Sequence, residues 1–300
     1  MRFFINLVCF ATLAMTGALY AAPKVVVTIS PIYALTQGVM QNVGEPILLV
    51  APGASPHSYA LKPSQVSDLN SADLVIWVSE SLETFLIKTI SQLPNTTKTL
   101  ALLTTPGLNP LPFRTNHDHN HDHAHTGFDP HVWLDPIRSQ ILVSAIAQAL
   151  SNIDVEHKNI YEANAKKINQ QLSQLDQQLS KDLAAIQNKP FIVFHDAYQY
   201  LEKRYNLNAV GIITLNPEIM PSAKHISEIQ KLIKQKNVVC IFSEPQFKPA
   251  IVDMIAKGTG VREGVLNPEG TVGHGFTGYS HLLTSLASSL QTCLNATSSN

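Results

Sequence analysis

The strongest constraint in this chain is a repeated alternation of short apolar runs with helical stretches. In the first half the runs are Val25-Val26-Val27-Thr28-Ile29, Ile47-Leu48-Leu49-Val50 and Leu74-Val75-Ile76-Trp77-Val78. In the second half they are Phe191-Ile192-Val193-Phe194, Val210-Gly211-Ile212-Ile213 and Val238-Val239-Cys240-Ile241-Phe242. A strand that is apolar on both sides is buried on both faces, which is the condition of a parallel sheet covered by helices. Two such sets predict an α/β protein of two similar parallel-sheet, Rossmann-like lobes, residues 23–150 and 189–300. A chain of 300 residues is also too long for one small core.

Residues 151–188 separate the two sets. Within them Ile160, Ile168, Leu172, Leu175, Leu179, Leu183 and Ile186 recur at spacings of mainly three, four and seven, in a background of Gln, Asn, Lys, Asp and Ser. The spacing predicts one amphipathic helix over residues 156–187, ended by Pro190 and reaching roughly 45 Å, enough to span both lobes. The same spacing fits heptads, so a coiled-coil dimer seam is the competing use of this stripe.

The chain starts with Met1-Arg2, an apolar stretch over residues 3–19 and then Ala21-Ala22-Pro23. That is the layout of a secretory signal peptide, residues 1–22, and the apolar part is short for a membrane span. Its removal takes Cys9 and leaves Cys240 and Cys293. In an exported chain such a pair forms a disulfide more readily than it stays reduced, although two buried thiols remain the alternative. A formal charge of −1 gives no general attraction to nucleic acid or to an anionic membrane.

One segment breaks the pattern. Residues 104–128 carry Pro, Gly and Asn, and then His117, His119, His121, His123 and His125, with Asp118 and Asp122 between them. A stretch with no apolar face cannot join a core, so it reads as a surface loop. Alternating imidazoles suit cations such as zinc, copper and nickel, in weak and interchangeable sites. A solubilising insert or an accident of low complexity would look the same.

Three isolated histidines are better placed for a defined site. His57 follows the second apolar run, His131 stands in Asp129-Pro130-His131-Val132-Trp133-Leu134, and His195 ends the run that begins at Phe191. Parallel sheets bind ligands outside the carboxyl ends of their strands, so His57 and His195 can face one cleft from different lobes. Three neutral imidazoles and a water would complete four-coordinate zinc. Taken singly, a histidine in such a position is more often a satisfied structural residue than a ligand.

The segments His57-Ser58-Tyr59-Ala60-Leu61-Lys62-Pro63-Ser64, Asp73-Leu74-Val75-Ile76-Trp77-Val78, His131-Val132-Trp133-Leu134, Phe194-His195-Asp196-Ala197-Tyr198 and Phe242-Ser243-Glu244-Pro245-Gln246-Phe247 occur in this order. Together they make the chain resemble the metal-binding proteins of bacterial ABC importers, in their zinc-binding branch. The resemblance implies two lobes joined by a rigid backbone helix and a metal in the interlobe cleft. It also implies a periplasmic location and delivery to an inner-membrane ABC permease. It carries the ligands over to His57, His131 and His195, and a disulfide to Cys240 and Cys293. Manganese-binding relatives have a carboxylate for the third histidine and an aspartate near the C-terminal end. Here His195 is the third ligand, and Thr277-Gly278-Tyr279-Ser280 has no acid, which favours Zn2+. Some zinc members have an acid before the first ligand; Pro56 stands here, so water is the expected fourth donor.

Other histidines read as follows: His157 solvated, His225 and His281 capping or packing, and His274 a possible addition to the site from a glycine-rich segment. Asp129, Asp196 and Glu244 are the acceptors that could orient the imidazoles. Neutral ligands predict binding that weakens as pH falls through about 6.5. Two rival functions share these features. A zinc hydrolase or hydratase would need a base converging on the open position, and the chain has no His-Glu-x-x-His. A histidine-rich buffer or adhesin would lose tight binding with the loop. A monomer that is not an enzyme is the expectation.

Overall fold

The computed structural model describes residues 21–114 and 127–296. The first sheet is built from β1 (Val25–Val27), followed by α1 (Ser30–Val39), β2 (Ile47–Leu48), α2 (Pro63–Asn70), β3 (Leu74–Trp77), α3 (Ile87–Ile90) and β4 (Lys98–Ala101). A helix pair follows, α4 (Pro136–Ile153) and α5 (Lys158–Leu183). The second sheet then unfolds in sequence as β5 (Phe191–His195), α6 (Gln199–Tyr205), β6 (Ala209–Thr214), α7 (Ala223–Gln235), β7 (Cys240–Ser243), α8 (Ala250–Thr259), β8 (Arg262–Val265) and α9 (Gly275–Asn295).

Both sheets are four-stranded and wholly parallel, in the orders β2-β1-β3-β4 and β6-β5-β7-β8. They share one topology, with β1 and β5 in equivalent places. In each, the chain leaves the first strand in one direction and then crosses to its other side. That makes the carboxyl ends of β1 and β3, and of β5 and β7, the natural ligand positions.

The apolar runs divide their side chains between two faces, as the two-residue period of a strand requires. Val25, Val27, Leu74, Ile76, Phe191, Val193, Cys240 and Phe242 point into one central core. Val26, Val75 and Trp77 pack outward with Leu69 of α2, and Ile192, Phe194 and Ile241 pack outward with Ile229 of α7 and Val252 of α8. The central core is continuous across both sheets and takes in buried residues of α1, α4, α5 and α9.

The helix of the middle segment runs over Lys158–Leu183 and ends in a 3-10 turn, Ala184–Ile186. Ile168, Leu172, Leu175, Leu179 and Leu183 are buried within this same chain, so the stripe is occupied intramolecularly and supplies no dimer seam. Before it, α4 starts sharply: the Asp135 side chain accepts from the backbone N–H of Ile137 and Arg138, and Pro136 fixes the first turn. Cys240 and Cys293 are disulfide-bonded and tie β7 to α9. At the start of α9, Gly273 and Gly278 lie so close that a Cβ on Gly273 would stand 2.4 Å from Gly278 Cα. No helix among the described residues is long and apolar enough to cross a membrane.

Candidate metal centre

His195 ends and His57 follows strands of different sheets, and His131 stands at a turn of the chain between them. His195 is the last residue of β5, and Glu244 directly follows β7, its neighbour in the sheet. His131 opens a 3-10 turn, Val132–Leu134, whose entry is fixed by Asp129 accepting the His131 backbone N–H at 2.9 Å. His57 lies in the irregular segment between β2 and α2. The fold brings one metal-binding atom of each to within 4.8 Å of the other two. The ring centroids stand 5.2 to 5.6 Å apart. His131 and His195 are buried and His57 is half-buried.

Two carboxylates set the tautomers. His131 Nδ1 is 2.8 Å from Asp129 Oδ1, and His195 Nδ1 is 2.6 Å from Glu244 Oε1. Asp129 Oδ1 already accepts the His131 backbone N–H, so it acts as an acceptor toward Nδ1 as well; with Glu244 Oε1 accepting likewise, both Nδ1 atoms carry the proton and both Nε2 atoms present lone pairs. Those two Nε2 atoms face one another at 3.3 Å. Two lone pairs cannot hydrogen-bond, so this pair is arranged for a cation. Nitrogens bound to one zinc at about 2.0–2.1 Å in tetrahedral geometry lie about 3.3–3.4 Å apart, which matches the spacing found.

Burial adds to this. Removal from water, with the nearby His195 and His131, holds His57 well below the usual imidazole range, and burial with His195 does the same for His131. Both are therefore neutral and ready to donate at neutral pH. The Trp133 ring centroid lies 5.2 Å from that of His131 and the Phe247 ring centroid 6.2 Å from that of His195, which gives the cluster apolar walls.

A second tier fixes the Asp129 segment to the second sheet. Tyr200 Oη donates to the Asp129 carbonyl at 2.7 Å and accepts the Leu111 N–H at 2.9 Å, while Gln199 donates to Asp129 Oδ2 at 3.2 Å. Burial pushes Asp129 up to about 7, against its accepted hydrogen bonds and the Arg114 charge. Asp196 does not contact an imidazole nitrogen; it faces Arg114 Nε at 3.4 Å, and Arg114 also pairs with Glu202.

The remaining histidines stand apart from the cluster. His274 Nδ1 lies 3.0 Å from Gln37 Nε2, His225 Nε2 meets the Ile212 carbonyl at 3.2 Å, and His281 is exposed. His157 departs from its expected solvated state, because its Nδ1 pairs with Asp154 at 2.8 Å at the turn between α4 and α5. His117, His119, His121, His123 and His125, like residues 1–20 of the expected signal peptide, lie outside the described residues. Among the described residues no fourth His, Cys, Asp or Glu joins the three.

The sequence reading passed over two buried acids near this region. Glu83 is held by Thr28 Oγ1 at 2.6 Å and by the backbone N–H groups of Val78 and Ser79, at the carboxyl ends of β1 and β3. Glu269 lies on the connection from β8 to α9 and feels the charges of Glu83 and Glu244. Neither stands in a motif, and only the fold places them together.

Comparisons with known proteins agree with this geometry. The family described as "Zinc-uptake complex component A periplasmic" matches residues 25–293. The high-affinity zinc uptake system protein ZnuA of Brucella abortus (strain 2308) is 40% identical over 304 residues, covering 90% of this chain and 91% of that one. Its counterpart in Yersinia pestis is 35% identical over 269 residues, covering 84% of each. Among solved structures, a crystal structure of ZnuA superposes with a TM-score of 0.79 at 25% identity, covering 91% of this chain and 99% of that one. The laminin-binding protein Lmb of Streptococcus agalactiae, described as bifunctional with adhesin and metal-transporting activity, gives 0.75 at 28%, covering 90% and 99%. A family match over most of the chain, together with relatives of this identity, means that the chain belongs to the family of periplasmic component A proteins of zinc-uptake complexes.

Proposed function

We propose that the protein captures one zinc ion between its two sheets through His57, His131 and His195 and hands it to an ABC permease of the inner membrane. The observation that carries the reading is the pair of facing Nε2 lone pairs, 3.3 Å apart, each fixed by a carboxylate on the opposite ring nitrogen. The relatives described as zinc uptake proteins support both the metal and the importer. Water completes the coordination. In this reading residues 1–22 are a cleaved signal that sends a monomer to the periplasm. The lobes run over residues 23–150 and 189–300, with residues 151–188 as the link.

His117, His119, His121, His123 and His125 serve as a low-affinity collector that raises the local zinc supply. The protein is not an enzyme: Asp129 and Glu244, the carboxylates nearest the cluster, are engaged on Nδ1 rather than free to act as a base.

The test is a competition titration of zinc and manganese against a chelator, on metal-free protein lacking residues 117–125. One tight zinc site with weak manganese binding is the expected result. Loss of tight binding would move the function into the loop, as a buffer or adhesin requires. Tight manganese binding would require an oxygen ligand in the site. Turnover of esters or hydration of carbon dioxide by the zinc-loaded protein would instead favour a hydrolytic centre.

A further inference from the structure

The three ligands are held unequally. His131 and His195 are buried, and each has a carboxylate on its Nδ1. His57 is half-buried and stands on residues 51–62, which have no regular structure. Gln65 pins the base of this segment: its side chain donates to the Leu49 carbonyl and to Tyr59 Oη, and accepts the Lys62 N–H at 2.9 Å. The tip is held differently. Ser55 Oγ accepts the His57 backbone N–H at 3.2 Å and donates to Glu218 Oε1, also at 3.2 Å.

Glu218 belongs to the other sheet, on the connection between β6 and α7. That connection is braced from within. Thr214 Oγ1, at the end of β6, reaches the carbonyls of Asn216 at 2.6 Å and Ile219 at 3.3 Å, and Asn216 Oδ1 accepts the Glu218 N–H at 3.0 Å. A firm anchor on one side of the cleft therefore grips, through one hydroxyl, the backbone of the least-held ligand on the other side.

We propose that Glu218 and Ser55 form a clasp that sets the rate at which zinc enters and leaves, by holding His57 over the buried His131–His195 pair. This rests on the three-histidine reading of the site. Glu218 is a positioning residue: it acts on His57 through Ser55. Because the clasp closes over the site equally with and without the ion, opening it lowers the barrier in both directions and leaves the equilibrium affinity nearly unchanged.

The experiment measures zinc association, and its transfer to excess fluorescent chelator, by stopped flow on the full exported chain. It compares wild type with Glu218→Ala, Glu218→Gln, Ser55→Ala and His57→Ala, reading the slowest phase. Glu218→Ala and Ser55→Ala should each speed both rates by about two- to fivefold, the range for an exposed charged contact, with Kd held within roughly twofold. Glu218→Gln keeps an acceptor oxygen for the Ser55 hydroxyl and should restore wild-type rates. Unchanged rates in Glu218→Ala would overturn the clasp. So would a Glu218→Gln as fast as Glu218→Ala, since charge and not the hydrogen bond would then be acting. A His57→Ala protein that keeps the slow phase and its affinity would sink the three-histidine site itself, a failure visible separately from the first two.

Discussion

At the scale of single residues, the site depends on which nitrogen of each imidazole faces the metal. Asp129 and Glu244 make that choice for His131 and His195. Asp129→Asn or Glu244→Gln should therefore weaken zinc binding by about 10- to 100-fold although no ligand is removed, as chelator competition would show. Replacing His131 or His195 with Ala should cost more, since it removes a donor from a buried pair. The pH response follows from the same surroundings. The sequence reading expects binding to fade at the ordinary imidazole value of 6.5, but burial and neighbouring rings hold His57 and His131 well below it. Protons then compete with the metal only at lower pH. Proton competition at His57 and His131 should therefore set in at a lower pH than the ordinary imidazole value, which zinc titrations across the range would check.

At the scale of elements, six strands are legible as apolar runs and two are not. β4 reads Lys-Thr-Leu-Ala and β8 reads Arg-Glu-Gly-Val. Both are edge strands with partly exposed side chains and, unlike the edge strands β2 and β6, they carry charged residues (Lys98, Arg262 and Glu263) that break the apolar run. The periodicity of α5 was plain in the sequence, yet its choice of partner was open. Leu172 is fully buried against this chain, so Leu172→Ala should destabilise by about 2–5 kcal/mol, measured by denaturant unfolding. The disulfide closes a separation of 53 residues between β7 and α9. Replacing Cys240 and Cys293 together with Ala should cost about 4 kcal/mol on a chain-entropy basis and lower the Tm under oxidising conditions.

At the scale of the whole molecule, buried acids meet where the two sheets face each other. Burial and the charges of Glu83 and Glu244 push Glu269 up to about 8, and burial pushes Glu83 and Glu202 up to about 7. A glutamate in the unfolded chain titrates near 4.5, so between these values the folded protein holds the extra protons. The stability they contribute is present at low pH and is lost as pH rises through about 7 to 8. His57 and His131 act oppositely: the unfolded chain gains their protons as pH falls below 6.5. Above pH 6.5 the histidines no longer offset the acids, so the metal-free protein should melt at a lower temperature at pH 8 than at pH 6.5. Glu269→Gln should raise the Tm at the alkaline end and flatten the decline, as thermal scans over pH would show.

Sequence by itself determined the class of fold, because continuous apolar runs such as Val25-Val26-Val27 are usable only in strands covered on both faces. It also marked His57, His131 and His195: strand ends suggested His57 and His195, and the resemblance to zinc-binding importer proteins carried the ligand set to all three. Tertiary structure decided the rest. Asp129 orients His131 from two positions away, but the residue that orients His195 is remote: Glu244 is 49 positions away and meets it because β5 and β7 are neighbours. Asp196, adjacent to His195 in the sequence, turns instead to Arg114. Local sequence fixes where a side chain starts from, but the partner across a cleft is fixed only once the sheets have packed, and it is that packing which joins three scattered histidines into one site.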